Sequence, residues 1–461
     1  MKRLFTILTV ALLTGCASIA EGPSASSVKT PSSFVYAPPQ ESRAPLSALL
    51  PNEDPAFQTL LTAIDTEAPD LQVALARVDA ARAALRAAGA ARAPNIEARG
   101  NAAYARSSEN AVTNLPPGFA IDPTNSSFSA GINASWDLDL FGRLRATQRA
   151  AGLRLDAADA DARAVRLAVV TDIARGVIDY RTAQAKLRIV EDDLADAASL
   201  AELTGKRTRA GITPGLDLVR AQSLEAAARS QRGPAEADLA SALGRLVTLT
   251  ARDGKSVAAA FIAPAEAGFA GEAPFALPSV LLRQRPDIVA AEYRLGAANA
   301  DVAAAAAARF PQISINAALG LAALALGDVF SADSLTASLG GSIAAPLLDF
   351  GRVEAQIDAR QADAKEAFAL YRLTVFEGIG EAESALGNLQ ARRSRLAILE
   401  TQLGIERDSL SLSTARYRMG LSDLLGVIDA QRQLNATRQS LVEAKAAAAR
   451  AQIQVYRSFG G

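Results

Sequence analysis

Four segments of the chain alternate apolar and polar side chains with a period of two residues. They lie at 95–106, 126–139, 312–321 and 335–347. Alternation over about ten residues is typical of a strand in an outer-membrane β-barrel, with its apolar face towards lipid and its polar face towards a lumen. A half-buried sheet of a water-soluble protein alternates in the same way, so the pattern alone leaves both interpretations open.

Two further segments predict very long helices. One runs from about Gly142 to Thr204 and the other from about Gly351 to Tyr417, and no Pro interrupts either. At 1.5 Å per residue the first helix would be roughly 95 Å long. Apolar residues recur along both at steps of three and four, which is typical of coiled-coil packing. A simple coiled-coil rod would explain these helices but not the four alternating segments.

Motifs of the first half of the chain recur in the second half at constant offsets. Pro69 and Pro286 open similar stretches that stay in register, 217 residues apart, into the first strand of each half. From the two Phe-Gly-Arg motifs onward, the offset is 209 residues. The change falls between the two strands of each half, where a loop absorbs insertions. We therefore predict two structural repeats, 44–252 and 253–461, the second beginning with a linker.

Four strands are too few to close a barrel. Strand backbone inside a membrane must be fully hydrogen-bonded, which requires closure. We therefore expect a homo-oligomer, in which three copies would supply twelve strands. The most apolar stretch of the body, 317–326, has about half of the ~20 residues that a spanning helix needs. If the chain crosses a membrane, we expect it to do so as β-structure.

The first residues indicate secretion and lipidation. A basic start precedes an apolar stretch at 4–13, and residues 13–17 resemble the processing site of a bacterial lipoprotein. We predict a signal peptide at 1–15, acylation of Cys16, and an extended tether rich in Ser and Pro at 16–43. The residue after Cys16 is Ala rather than Asp, which in related sorting systems favours the outer membrane. An ordinary signal peptide with a chance Cys is the alternative.

Composition argues against several classes of function. The chain has 48 Lys and Arg against 49 Asp and Glu, whereas nucleic-acid binding needs a basic excess. It has no His and one Cys, so it lacks the commonest general base and cannot build a thiolate metal cage. It also has no G-x-S-x-G, Walker A or G-x-G-x-x-G motif. We expect no enzymatic activity, no cofactor, no metal site and no nucleic-acid partner.

Several longer motifs resemble those of the TolC/OprM-type outer-membrane factors. These motifs are residues 136–145, 281–288, 346–352, 416–420 and 427–432. Together with the lipoprotein signal, they resemble the OprM-like lipoprotein branch of that family, and the resemblance runs from the signal to the C-terminus. It implies an α+β membrane protein: a trimer whose twelve-stranded transmembrane β-barrel continues into a long periplasmic α-helical barrel.

The resemblance also implies partners and a function. The partners would be a periplasmic adaptor protein and an inner-membrane pump of the resistance-nodulation-division type. The trimer would sit in the outer membrane, anchored by lipid, and would pass small molecules, such as drugs or toxic compounds, to the exterior. Metal efflux and protein secretion are alternatives within this class, although two Met and no His offer no relay for soft metals.

The resemblance assigns adaptor binding to two helical turns. They consist of Ala210, Gly211, Ile212 and Thr213, and of Met419, Gly420, Leu421 and Ser422. Gly permits the backbone to reverse between antiparallel helices. The alternative is that these turns only connect helices.

The resemblance assigns a periplasmic gate to one face of the last helix. Asp429 matches the family's Asp at the tunnel constriction, and Leu425 and Arg432 lie on the same helix face. We expect the gate to close by packing and Asp–Arg pairing. Arg220 takes the place of Asp429 in the first repeat, so we expect one helix pair per chain to form the gate. A surface pair between Asp429 and Arg432 is the alternative.

Two other functions remain open from the sequence. A lipid-anchored scaffold built of coiled coil would never open a pore, and its strands would lack an apolar belt facing lipid. An enzyme is the weaker alternative, because the many Asp and Glu residues lie on predicted helix faces where charges are usually solvated.

Overall fold

The computed structural model describes residues 24–37, 46–62, 64–106, 108, 124–265 and 284–461. The predicted signal peptide, the acylation site Cys16 and half of the predicted tether lie outside these residues. Within them, no helix is both long and apolar enough to cross a membrane.

Helices and strands follow the order that the two predicted repeats require. The elements of the first half are α1 (Pro55–Leu61), α2 (Ile64–Glu67), α3 (Pro69–Ala90), β1 (Asn95–Arg106), β2 (Thr124–Asp137), α4 (Arg143–Arg209), α5 (Gly215–Thr250) and α6 (Gly254–Ala260). Those of the second half are α7 (Pro286–Ala306), β3 (Gln312–Ala323), β4 (Leu335–Ala344), α8 (Arg352–Arg418) and α9 (Leu424–Ser458). The helices α4 and α8 each have 67 residues.

Two strands end earlier than the alternation predicts. β2 ends at Asp137 rather than at 139, and β4 ends at Ala344 rather than at 347. Asp139 has a φ of 44°, which is left-handed and leaves the extended conformation. Pro346 follows β4 and has no N–H to donate to a neighbouring strand. The alternation of apolar and polar side chains continues past both points, but the strands end there.

The chain forms two compact units, and each combines segments of both repeats. One, which we call the strand unit, contains Asp79–Ala157 and Glu292–Leu370. The other, the helical unit, contains Val28–Val78, Ala158–Ala291 and Tyr371–Gly461. The predicted repeats 44–252 and 253–461 are therefore not separate compact domains, because each buries its side chains against the other.

In the strand unit, the four strands form one antiparallel sheet in the order β1-β2-β3-β4. Ala98 is opposite Ile132, which is opposite Leu319 on the next strand. Directly paired residues project from the same face of a sheet, so the apolar residues of all four strands share one face. Large apolar side chains on this face are exposed in the single chain; they include Ile96, Tyr104, Ile132, Leu319, Leu339 and Ile343.

The strands β2 and β3 come together at two facing glycines. Gly131 is opposite Gly320. A Cβ on Gly131 would lie 2.8 Å from the carbonyl oxygen of Leu319, and one on Gly320 would lie 2.7 Å from that of Ala130. These distances are shorter than a carbon–oxygen contact allows, so the centre of the sheet accepts no side chain at either position.

Each long helix starts at a glycine with a capping aspartate just before it. Gly142 and Gly351 have φ values of 79° and 86°. Asp139 accepts hydrogen bonds from the backbone N–H of Leu144 at 2.8 Å and of Arg145 at 2.9 Å. Asp349 accepts from Gly351 and Val353, and these donors lower the pKa of its carboxyl. The carboxylates satisfy N–H groups that have no partner within the helix.

The helical unit has a large apolar core around the middle of α4. Ile173, Val177 and Ile178 of α4 are buried in one cluster with Phe57 of α1 and Leu246 of α5. The cluster also includes Ile453 of α9. Helices from both repeats therefore pack on one core, which fixes the C-terminal end of α9 with respect to α4 and α5.

Candidate gate and helical turns

The two helical turns of the helical unit have the same backbone geometry. Gly211 and Gly420 have φ values of 70° and 73°. After each glycine, the next N–H donates back to the last turn of the preceding helix, from Ile212 to Arg207 O at 2.9 Å and from Leu421 to Arg416 O at 2.9 Å. This is the Schellman arrangement, in which a left-handed residue ends a helix.

The tips of both turns present apolar side chains to the outside. Ile212 is 64% exposed, and Met419 and Leu421 are each 65% exposed. Behind these tips, Leu424, Val427 and Ile428 of α9 are buried against α4 and α5. The turns therefore combine a rigid backbone with an uncovered apolar surface.

The three predicted gate residues lie on the face of α9 that points away from this core. Leu425 is 39% exposed, and Asp429 and Arg432 are exposed. The buried face is formed by Leu424, Val427 and Ile428. The start of α9 thus places one apolar and two charged side chains on a single open face.

Asp429 and Arg432 do not pair with each other within the chain. In the single chain, neither has a hydrogen bond or ion pair to another described residue. The first repeat differs, because Arg220 lies 3.9 Å from Asp217. The second repeat therefore keeps both charges of the predicted gate available to groups outside the chain.

One charged residue near the predicted gate was missed by the sequence analysis. Asp193 of α4 is 8% exposed, and its Oδ1 atom has no hydrogen-bond partner among the described residues. Burial raises the pKa of this carboxyl to about 6, although Arg438 opposes the shift. A sequence signal existed: Asp193 lies three residues after Val190 and so falls on the apolar stripe of α4.

The fold and its relatives together define the class of protein. The family model for outer membrane efflux proteins matches residues 60–252 and 277–461. The chain belongs to this family and is an outer-membrane channel subunit of an efflux system.

Its relatives include two efflux proteins of similar length. Pyoverdine export outer membrane protein OpmQ of Pseudomonas aeruginosa is 30% identical over 409 residues, which cover 88% of this chain and 85% of OpmQ. Cation efflux system protein CusC of Escherichia coli K12 is 30% identical over 408 residues, or 88% and 87% of the two chains. Among solved structures, the outer-membrane channel OprN superposes with a TM-score of 0.83 at 28% identity, over 95% of this chain and 98% of that chain.

These relationships confirm the family, the efflux function and the outer-membrane location that the motifs implied. The family and its relatives are transport proteins, which favours the channel over the scaffold and the enzyme. The roles of the turns and of the three gate residues stay predictions.

Proposed function

We propose that three copies of this chain form one channel through the outer membrane. Four strands from each copy close a twelve-stranded transmembrane β-barrel, and the long helices form a periplasmic α-helical barrel. The channel joins a periplasmic adaptor and an inner-membrane pump of the resistance-nodulation-division type. It passes small molecules to the exterior, and acylated Cys16 anchors each copy in lipid.

The observation that carries this proposal is a four-stranded sheet whose two edge strands are unpaired on their outer sides among the described residues. Among the described residues, β1 pairs only with β2 and β4 pairs only with β3, which leaves two open edges. The sheet also exposes the large apolar face described above. Open edges and an exposed apolar face are unfavourable in water and are both satisfied when sheets from several copies close in a membrane.

The face of α9 supports a gate on the axis of such a trimer. Three Asp429 carboxylates that converge on the axis repel each other unless cations or guanidinium groups neutralise them. Arg432 lies on the same face and has no partner among the described residues of its own chain, so it is available to Asp429 of a neighbouring copy. Leu425 adds an apolar ring that resists wetting. The gate closes by these contacts and opens when they are broken.

The helical turns support adaptor binding. Their rigid Schellman backbone holds the exposed side chains of Ile212, Met419 and Leu421 in fixed positions. Exposed apolar groups on a rigid support favour a protein partner, because burying them releases water without ordering a flexible loop. The repetition of the turn gives each copy two similar docking points.

The substrates are small organic molecules, such as drugs or other toxic compounds. The names of OpmQ and CusC refer to pyoverdine and to cations, so channels of this family serve chemically different exports. This chain has no His, two Met and one Cys, which gives it no relay of soft ligands for metal ions. The substrate is therefore selected by the pump rather than by the channel.

The test is single-channel conductance of the purified protein in a planar bilayer. We expect low conductance from the wild type, and larger conductance that is less sensitive to divalent cations from Asp429→Ala. Asp238→Ala, which removes an exposed carboxylate from α5, is the matched control and should behave as the wild type. A well-folded protein that forms no channel would contradict the proposal and favour the scaffold. A conductance that Asp429→Ala leaves unchanged would still support the channel but would exclude Asp429 from its gate.

A further inference from the structure

A cavity between α4, α5 and α9 contains the buried carboxyl group of Asp193, whose Oδ1 atom has no hydrogen-bond partner among the described residues. The cavity has a volume of about 270 Å³, and Asp193 of α4 lines it together with Leu224 and Ala228 of α5. Gln431, Arg432 and Asn435 line it from α9. The volume exceeds that of a guanidinium group several times, so the cavity has room for a charged side chain to enter.

Of the described residues that α4 contributes to the lining, Asp193 alone is charged, and its carboxylate is poorly satisfied. Its nearest cation is Arg438 of α9, with an Nη1–Oδ1 distance of 3.9 Å, which is too long for a hydrogen bond. The neighbouring carboxylates of Asp192 and Asp196 on α4 add repulsion. The residues of α5 that line the cavity are uncharged. A buried carboxylate in these surroundings is costly unless a cation approaches it.

Among the described residues that line the cavity, Arg432 is the one cation. It lines the same cavity and has no hydrogen bond or ion pair to another described residue. Its guanidinium carries five N–H donors. It also lies on the same face of α9 as Asp429, three residues away. Rotation of the Arg432 side chain alone would therefore move its guanidinium between the aperture and the cavity.

We propose that Asp193 and Asp429 compete for Arg432, and that the gate is closed when Asp429 holds Arg432 and open when Asp193 holds it. This inference rests on the proposed gate and names its regulation. With Arg432 drawn into the cavity, the three Asp429 carboxylates lose their counter-charge and repel each other. With Asp193 neutral, nothing in the cavity attracts Arg432, which returns to the aperture.

The competition makes the gate sensitive to pH. Burial raises the pKa of Asp193 to about 6, so the carboxyl is mostly neutral below that pH and mostly ionised above it. The ionised fraction, and with it the open population, falls about tenfold between pH 7 and pH 5. The midpoint of the pH response is therefore that of Asp193.

The experiment compares open probability between about pH 5 and pH 8 for four versions of the reconstituted channel. We expect the wild type to lose about tenfold in open probability from pH 7 to pH 5. Asp193→Asn, which resembles the neutral carboxyl in shape, should stay at the low value throughout. Glu191→Gln, which removes an exposed carboxylate two residues away, should keep the wild-type profile. Arg432→Ala should be open at every pH, and adding Asp193→Asn to it should change nothing.

Two results would overturn the inference. One is an Asp193→Asn channel that keeps the wild-type pH profile, and the other is an effect of Asp193→Asn that is equally large in the Arg432→Ala background. If Asp429→Ala also leaves conductance unchanged, the proposed gate itself fails. If Asp429→Ala opens the channel while Asp193→Asn does not alter it, only the competition fails. Where the Asn variant does not fold, Asp193→Ser carries the same test.

Discussion

Arg181 of α4 and Asp54 before α1 form a buried ion pair, and breaking it should strongly destabilise the protein. Arg181 is 3% exposed and Asp54 is 7% exposed. The Arg181 Nε–Asp54 Oδ2 and Nη2–Oδ1 distances are 3.0 and 3.1 Å, so the pair is bidentate. The same guanidinium donates to the carbonyl oxygens of Phe261 at 3.1 Å and Ala263 at 2.8 Å.

Arg181→Met keeps much of the side-chain volume and removes the charge. Removing one partner of a buried pair costs about 3–5 kcal/mol, because the other charge stays buried without compensation. The buried carbonyl group of Phe261 also loses its donor, and a buried unsatisfied group costs about 1–3 kcal/mol. These costs are not additive, so we expect the free energy of unfolding to fall by at least about 3 kcal/mol.

The measurement is chemical denaturation of the protein in detergent, followed by circular dichroism. Arg166→Met is the matched control, because Arg166 pairs with Asp65 at 2.9 Å on the surface and exposed pairs contribute less than about 1 kcal/mol. Asp54→Asn added to Arg181→Met should restore part of the loss, since it removes the unpaired charge. A loss no larger than that of Arg166→Met, or no recovery in the double variant, would refute the reasoning.

Two further predictions concern the sheet and a turn. Gly131→Val should abolish the heat-resistant oligomer on gels, because its Cβ would lie 2.8 Å from the Leu319 carbonyl oxygen. Gly100→Val is the control and should retain the oligomer, because nothing lies within 4 Å of its new Cβ. A stable Gly131→Val oligomer would contradict the register of β2 and β3. Gly420→Ala should weaken binding of the adaptor in surface plasmon resonance, because a φ of 73° costs about 1–2 kcal/mol for a residue with a Cβ. Gly426→Ala, inside α9, is its control, and equal binding by both variants would exclude the turn as an adaptor site.

The positions of the helices and strands followed from the sequence because local periodicity determines them. The apolar side chains of 95–106 recur every two residues, and those of α4 recur every three to four. The first spacing places them on one face of a strand, and the second places them on one face of a helix. The constant offsets between the halves predicted that elements would recur, and α4 and α8 indeed start at Arg143 and Arg352. The motifs indicated the family, because they place several residue types in a fixed order.

The division into compact units depended on the tertiary structure. Sequence repeats place their boundary between 252 and 253, but side chains pack on whichever neighbour covers them, and here each unit combines segments of both repeats. The pairing of Arg181 with Asp54 is of the same kind. The two residues lie 127 positions apart, and no local pattern relates them.

The candidate gate shows the same division between what the sequence determined and what the tertiary structure decided. Spacing on one helix placed Leu425, Asp429 and Arg432 on a common face, since residues three and four apart are neighbours on a helix. Whether Asp429 and Arg432 pair was decided by rotamers and surroundings, and in this chain they do not. Asp193 received its buried carboxyl and raised pKa from α5 and α9 packing around it. Periodicity is a local property of the chain, whereas burial and charge pairing depend on elements that only the folded structure brings together.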